Sequence, residues 1–286
     1  MEIRKLHPTF GVEVVGIDIG EPIDEPTFAR IRAAFEEHGL LLLRDQHLDD
    51  DIQVAFSERF GPLETTFSQN PAGGTLFARQ SNLDIKTGET IPLEDARMVY
   101  QRANMLWHTD SSFKRVPSLC SLLSARLVPP EGGNTDFADM RAAYDALPDE
   151  TKTRIEGQIA WHSIAHSRAQ VCPDLLTEHQ KSVEAPPMKQ QLVRANPVTG
   201  RKALFIGAHC SHIDGWPEDE GRAFIRQLME TAIKPEFCYS HQWREGDIVV
   251  WDNRALLHKA TPFDGRKYKR LMQRTTVAGD GPTVAH

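Results

Sequence analysis

The chain has 286 residues, 40% of them hydrophobic, enough for a large domain with a sizeable core. Thirty-three basic against 40 acidic side chains give a net charge of −7, which argues against a general nucleic-acid binder. Four scattered cysteines without C-x-x-C spacing, no apolar leader after Met1, and no apolar run long enough for a bilayer are the marks expected of a cytoplasmic, membrane-free protein with reduced thiols.

Along the chain, residues 9–17 alternate partly and predict a strand. Phe28, Ile31, Ala34 and Phe35 recur at helical spacing and predict a helix over 26–38, ended by Gly39 in a left-handed conformation. Leu40–Leu43 then reads as a short buried strand. Asp49, Asp50 and Asp51 offer N-cap chemistry to a helix over 51–60, stopped by Gly61-Pro62. Residues 65–97, rich in Thr, Gly, Pro and charge, predict a long active-site loop. Short strands dominate beyond 118, at 119–127, 134–138, 191–195, 203–206, 247–251 and 268–277. Helices at 140–147, 149–156 and 218–232 interrupt them. No repeat or linker divides the chain. The expectation is one domain over 1–286, mainly β with added helices, built on a barrel or two-sheet jelly roll.

His108 and Asp110 stand two apart, which on a strand puts both on one face. His258 lies 150 residues after His108, behind the apolar strand Ile248–Trp251 and a turn at 252–254. A neighbouring strand would bring it to the same point. Two imidazoles and one carboxylate form the facial triad that binds non-haem Fe(II) and leaves positions open. His-x-Asp alone is a weak pattern in a chain with 12 histidines and 40 acidic residues. His162 with His166 on a helix face, and His209 with His212, are rival pairs, and ordinary polar side chains are the plainer reading of both.

Context raises the first set. Trp107–Phe113, Gly132-Gly133-Asn134-Thr135, Trp251-Asp252-Asn253-Arg254 with His258, and Arg270–Thr276 occur in this order. Together with Phe137–Pro148 and Leu204–His209, they closely resemble the Fe(II)/2-oxoglutarate-dependent dioxygenases of the taurine and 2,4-dichlorophenoxyacetate family, the phenoxyacetate branch above all. The resemblance covers nearly the whole chain and implies a double-stranded β-helix (cupin-like jelly roll). By similarity His108, Asp110 and His258 are the iron ligands. Thr135 and Arg270 then hold the distal carboxylate of 2-oxoglutarate, and a planar guanidinium suits that task. Arg274 matches an arginine that contacts the anionic group of the primary substrate, and alternation puts 270, 272 and 274 on one strand face. Seven basic residues against one acid between 254 and 274 agree with two small anions near one cation. Asn104 matches an asparagine close to the substrate, although it could equally cap a turn. With the carboxylate ligand present as Asp110, the chain reads as a hydroxylase.

Departures bear on the substrate. Thr66 stands where taurine enzymes carry a sulfonate-binding histidine, which counts against taurine. Two loop lysines of the phenoxyacetate enzyme correspond to Gln69 and, more loosely, Lys86. The implied reaction hydroxylates an aryloxyacetate such as 2,4-dichlorophenoxyacetate and consumes O2 and 2-oxoglutarate. Its products are a phenol, glyoxylate, succinate and CO2. An alkylsulfonate or another arylalkanoate is the alternative substrate. A zinc-dependent hydrolase and a non-catalytic small-acid-binding cupin are the rival classes, and neither requires a dicarboxylate clamp. A homo-oligomer is compatible with everything above.

Overall fold

In a computed structural model, the protein is described over residues 1–286 except 48, 67–73, 85, 177–185 and 286. The strands are β1 (Glu2–Lys5), β2 (Val12–Val15), β3 (Leu40–Leu43), β4 (Ala78–Ser81), β5 (Cys120–Leu127), β6 (Thr135–Asp139), β7 (Ile159–His162), β8 (Met188–Gln191), β9 (Val193–Ala195), β10 (Lys202–Leu204), β11 (Cys210–Ile213), β12 (Cys238–His241), β13 (Ile248–Asp252), β14 (Leu256–Ala260) and β15 (Leu271–Val277). The helices are α1 (Glu25–His38), α2 (Asp50–Glu58), α3 (Ala96–Arg102), α4 (Met140–Asp145), α5 (Asp149–Ile155), α6 (Ile164–Ala169) and α7 (Glu218–Ala232).

Seven strands form one sheet in the order β1-β2-β3-β13-β5-β15-β4, and β12-β6-β14 form a smaller sheet facing it. Strand alternation explains the packing. Leu40, Leu42, Val249 and Trp251 point inward and meet Phe137 and Leu256 of the smaller sheet. Leu41, Leu43, Ile248 and Val250 point outward and are covered by Phe28, Ile31, Phe35 and Phe56 of α1 and α2. Both faces of the central strands are therefore buried, which is why Leu40–Leu43 and Ile248–Trp251 are continuous apolar runs. Each buried leucine contributes about 1.5–3 kcal/mol through its hydrophobic transfer. The result is the jelly roll that the strand pattern led us to expect.

Local chemistry sets the helix ends. The Asp24 carboxylate accepts from Thr27 N at 2.7 Å, and Gly39 ends α1 at φ 72°. Arg141 donates to the carbonyls of Glu37 and His38 and closes that terminus. A side chain at Gly39 would collide with this guanidinium, 3.0 Å from the place of a Cβ. Helix α2 starts at Asp49 and docks on β15 through polar groups: Gln53 donates to Gln273 O, and the hydroxyls of Ser57 and Thr275 share a hydrogen bond at 2.7 Å.

The structure departs from expectation in several places, three of which bear on the site and its histidines. β4 lies inside the expected 65–97 loop and pairs with β15, because its backbone completes the edge of the large sheet. His108 and Asp110 are not on a regular strand: His108 makes an isolated bridge, and Asp110 begins a turn in which Ser111 has φ 54°. His162 and His166 do not share a helix face, since His162 ends β7 and His166 lies in α6.

His162 is fully buried and stacks on Phe205, with ring centroids 5.3 Å apart. Burial lowers its pKa from 6.5 to about 3, so the folded protein keeps it neutral. Below pH 6.5 the unfolded chain takes up a proton that the folded chain refuses, so this residue's effect destabilises the fold as pH falls from 6.5 toward 3. Between pH 7.5 and 5 the loss is about 2 kcal/mol. Urea denaturation at the two pH values should show a drop smaller by that amount in His162→Phe.

Candidate metal centre and its two cavities

His108, Asp110 and His258 converge although they arise from separate segments. His108 N donates to His258 O at 3.0 Å, and His258 N donates to His108 O at 2.8 Å. This reciprocal pair fixes the 108 segment against the middle of β14. The ligand-capable atoms of the three residues lie within 4.8 Å of one another, and all three residues are buried. Nε2 of His108 and Nε2 of His258 stand 3.9 and 3.7 Å from the Asp110 carboxylate. His108 Nδ1 lies 2.7 Å from Leu106 O, which as a carbonyl can only accept. That contact assigns the proton to Nδ1 and leaves the Nε2 lone pair facing the centre.

Residues outside the triad hold it in place. Asn253 accepts from Asp110 N, from the Thr109 hydroxyl and from Trp251 Nε1, and donates to the hydroxyls of Ser118 and Ser121. Ser121 in turn donates to Asp110 Oδ2 at 2.7 Å. On the other side Ala208 N donates to Trp107 O at 2.8 Å. Gly207 permits this approach: at φ 128°, a Cβ there would lie 3.1 Å from Trp107 O and 3.3 Å from His108 Cα.

Electrostatics suit a cation. Burial depresses the proton affinity of both ligand imidazoles, against the pull of Asp110, so both are neutral. Burial alone would raise the Asp110 pKa. The positive charge of Arg274 and the hydrogen bond from Ser121 outweigh it and hold the carboxyl well below the usual range. Two neutral imidazoles and a carboxylate are the protonation states in which these side chains bind a metal. The donor set fits a non-haem divalent ion.

The triad lies between two adjoining cavities that share Gln80, Asn104, His108 and Arg274. Asn104 Nδ2 donates to Gln80 Oε1 at 2.6 Å, so this pair forms part of the wall common to both. The inner cavity adds Thr135, Trp251, His258 and Arg270. Arg270 is 7% exposed, and burial lowers its pKa to about 10, still cationic at neutral pH. It donates to the carbonyls of Gln80 and Gly133, while its Nε has no partner. The outer cavity adds Asp110, Thr66, Phe113, Arg168 and His209. Arg274 Nη1 donates to Asp110 Oδ1 by a short hydrogen bond.

The structure thus brings together His108, Asp110, His258, Thr135, Arg270, Arg274 and Asn104. It does not bring Lys86 to them, since that side chain is exposed in a turn beginning at Asp84 and lines neither cavity. Gln69 lies outside the described residues. Sequence reasoning overlooked Asn253, Ser121, Gln80 and Arg168. Asn253 sat in view inside the Trp251–Arg254 stretch, but its role depends on partners more than 130 residues away.

A jelly roll carrying a 2-His-1-carboxylate triad beside a buried arginine defines a metal-dependent dioxygenase that uses 2-oxoglutarate. Residues 2–276 match the family described as taurine catabolism dioxygenase TauD, TfdA family, and the chain belongs to it. Among its relatives is the alpha-ketoglutarate-dependent 2,4-dichlorophenoxyacetate dioxygenase of Cupriavidus pinatubonensis, 40% identical over 95% of this chain and 96% of that one. The (S)-phenoxypropionate/alpha-ketoglutarate-dioxygenase of Sphingobium herbicidovorans is 37% identical over 98% and 95%. The crystal structure of AAD-2 in complex with Mn(II) and N-oxalylglycine superposes with a TM-score of 0.92, at 40% identity over 99% and 100%.

Loss of the Ser121 hydrogen bond should loosen the Asp110 carboxylate without removing it. Titration of Mn(II) into Ser121→Ala is expected to show affinity roughly 10-fold weaker, as for lost supports of metal ligands elsewhere. Unchanged affinity would remove Ser121 from the support of the centre.

Proposed function

We propose that this dioxygenase hydroxylates a small aryl substrate bearing a carboxylate, most directly an aryloxyacetate such as 2,4-dichlorophenoxyacetate. One observation carries the reading: the triad stands between two adjoining cavities, with Arg270 lining the inner one and Arg274 in the wall that both share. The named relatives act on 2,4-dichlorophenoxyacetate and phenoxypropionate, which supports the substrate class.

His108, Asp110 and His258 would hold Fe(II). When bound, the iron supplies oxygen activation coupled to decarboxylation of 2-oxoglutarate to succinate and CO2. Arg270 and Thr135 in the inner cavity would bind the distal carboxylate of 2-oxoglutarate. The free Nε of Arg270 is a donor waiting for such an acceptor, and Trp243 Nε1 fixes the Thr135 hydroxyl at 3.0 Å. N-oxalylglycine, held by AAD-2, has the dicarboxylate form that this cavity suits.

In the outer cavity Arg274 and Asn104 would orient the primary substrate so that the carbon between ether oxygen and carboxylate faces the centre. Hydroxylation at that carbon gives a hemiacetal, which expels the phenol and leaves glyoxylate. Orientation of this kind has a large effect on rate. Lys86 would reach the substrate only through a different arrangement of its turn. The match over residues 2–276 supports treating the chain as a single dioxygenase domain. Four unpaired cysteines, and no described helix long and apolar enough to cross a membrane, support a cytoplasmic location.

His108→Ala and Asp110→Ala should abolish turnover and measurable Fe(II) binding; titrations matching the parent protein would remove these residues as ligands. Arg270→Ala should raise the apparent KM for 2-oxoglutarate by roughly 10- to 100-fold, the effect of losing a charge-assisted contact. An unchanged value would move the cosubstrate elsewhere. Arg274→Ala should weaken the primary substrate while succinate release without substrate persists. A succinate-release screen over aryloxyacetates, 2-aryloxypropionates, arylalkanoates and alkylsulfonates tests the substrate class. Response to sulfonates alone would overturn the aryloxyacetate reading, and hydrolysis without oxygen consumption would overturn the oxygenase.

A further inference from the structure

The outer cavity holds three cationic side chains, Lys114, Arg168 and Arg274. Lys114 pairs with Glu64 at 2.6 Å, and Arg274 pairs with Asp110. Arg168 differs from both. Its side chain is nine-tenths buried, with 9% exposure, and its guanidinium has no hydrogen bond or carboxylate partner among the described residues. Its Nε in particular is buried and unsatisfied. A buried cation without a counter-charge is costly, and such groups persist where a ligand supplies the missing charge.

The surroundings hold this side chain in place rather than neutralise it. The guanidinium lies over the Tyr100 ring, 4.2 Å from its centroid, a contact that orients it and leaves its N–H edges free. Helix α6 is itself anchored: Ser163 N donates to His209 O at 2.8 Å, the Ser163 hydroxyl caps His166 N, and Gln170 Nε2 donates to Ala208 O. Those contacts tie Arg168 to the loop that Gly207 lets approach His108.

We propose that Arg168 is the principal anchor for the carboxylate of the primary substrate, acting across the outer cavity from Arg274. Arg274 shares its charge with Asp110, whereas Arg168 has no acidic partner among the described residues and presents its charge to the same space. Its planar fork matches a carboxylate with two parallel hydrogen bonds. The aromatic part of the ligand would then lie among Tyr100, Phe113 and Ile164, which line the same cavity. The substrate class implied is an aromatic monocarboxylate, selected for its charge as well as its ring. This rests on the dioxygenase reading above, and the test separates the two.

Phenoxyacetate, its neutral amide, phenoxyacetamide, and an alkylsulfonate, butanesulfonate, are titrated calorimetrically into the anaerobic Mn(II)- and 2-oxoglutarate-loaded protein. The same is done with Arg168→Gln, Arg168→Lys and Tyr100→Leu. For Arg168→Gln, phenoxyacetate affinity should fall roughly 10- to 100-fold while the amide is unaffected, which abolishes the preference for the acid. Arg168→Lys keeps the charge without the fork and should fall between parent and Gln variant; it also serves if the Gln variant does not fold. Tyr100→Leu should weaken acid and amide alike through the lost ring contact, and the acid further, because the guanidinium also loses the ring that orients it. Unchanged phenoxyacetate binding in Arg168→Gln, or in Arg168→Lys if only that variant folds, overturns the proposal and leaves the dioxygenase reading standing. Equal losses for acid and amide also overturn it, because they mark a structural role. If the parent protein binds an alkylsulfonate instead and Arg168→Gln loses it, the anchor stands and the aryloxyacetate reading falls. Failure of the parent protein to bind any of these anions overturns the anchor.

Discussion

Two backbone hydrogen bonds between His108 and His258 are the constraint on which the site depends. They join a segment leaving a one-turn 3-10 helix to the middle of a core strand, across 150 residues of chain. Every further element of the site is placed relative to this bridge. Asn253 ties the Asp110 turn to the end of β13, and Gly207 lets a second loop press against His108 from the opposite side. The rigidity of that frame comes from the central strands, which are covered on both faces. Three donor atoms within reach of one ion are a property of the folded sheet, since no local segment supplies more than two of them.

Charge is organised around the same point. An acidic protein places arginines at the inner and outer ends of its cavities. The Asp110 carboxylate draws Arg274 toward the centre. Arg270 stays behind it in the inner cavity, where backbone carbonyls solvate the guanidinium only in part. Arg168 faces the outer cavity with no acid beside it among the described residues. The Gln80–Asn104 pair stands in the wall between the two spaces. It is a neutral contact, so it can separate two anions without competing for either.

Much of the fold was legible in the chain. The continuous apolar runs at Leu40–Leu43 and Ile248–Trp251, the Asp24 and Asp49 caps and Gly39 each carry a local signal with a single reading. The triad was legible because His-x-Asp and a later histidine fell into the ordered set of motifs of a known family. β4 was not legible. Ala78-Arg-Gln-Ser81 has no strand pattern of its own and pairs because the edge of β15 offers it free backbone groups. Asp110 was assigned to a strand face, yet it reaches the centre from a turn whose direction is set by Asn253 and Ser111.

Sequence by itself determined the composition of the core, the class of sheet, the family and the three donor side chains. Those properties depend on residue type and on order along the chain. Tertiary structure decided which charges are left without partners. His162 and His209 looked alike as members of histidine pairs, but one is sealed against Phe205 and the other opens onto the outer cavity. Arg168 and Arg141 are both buried arginines near helix termini. Arg141 is saturated by Asp139 and two carbonyls, while Arg168 lies over an aromatic ring with no acidic partner among the described residues. Whether a buried charge is compensated depends on segments brought close by folding, and linear order does not encode that distance.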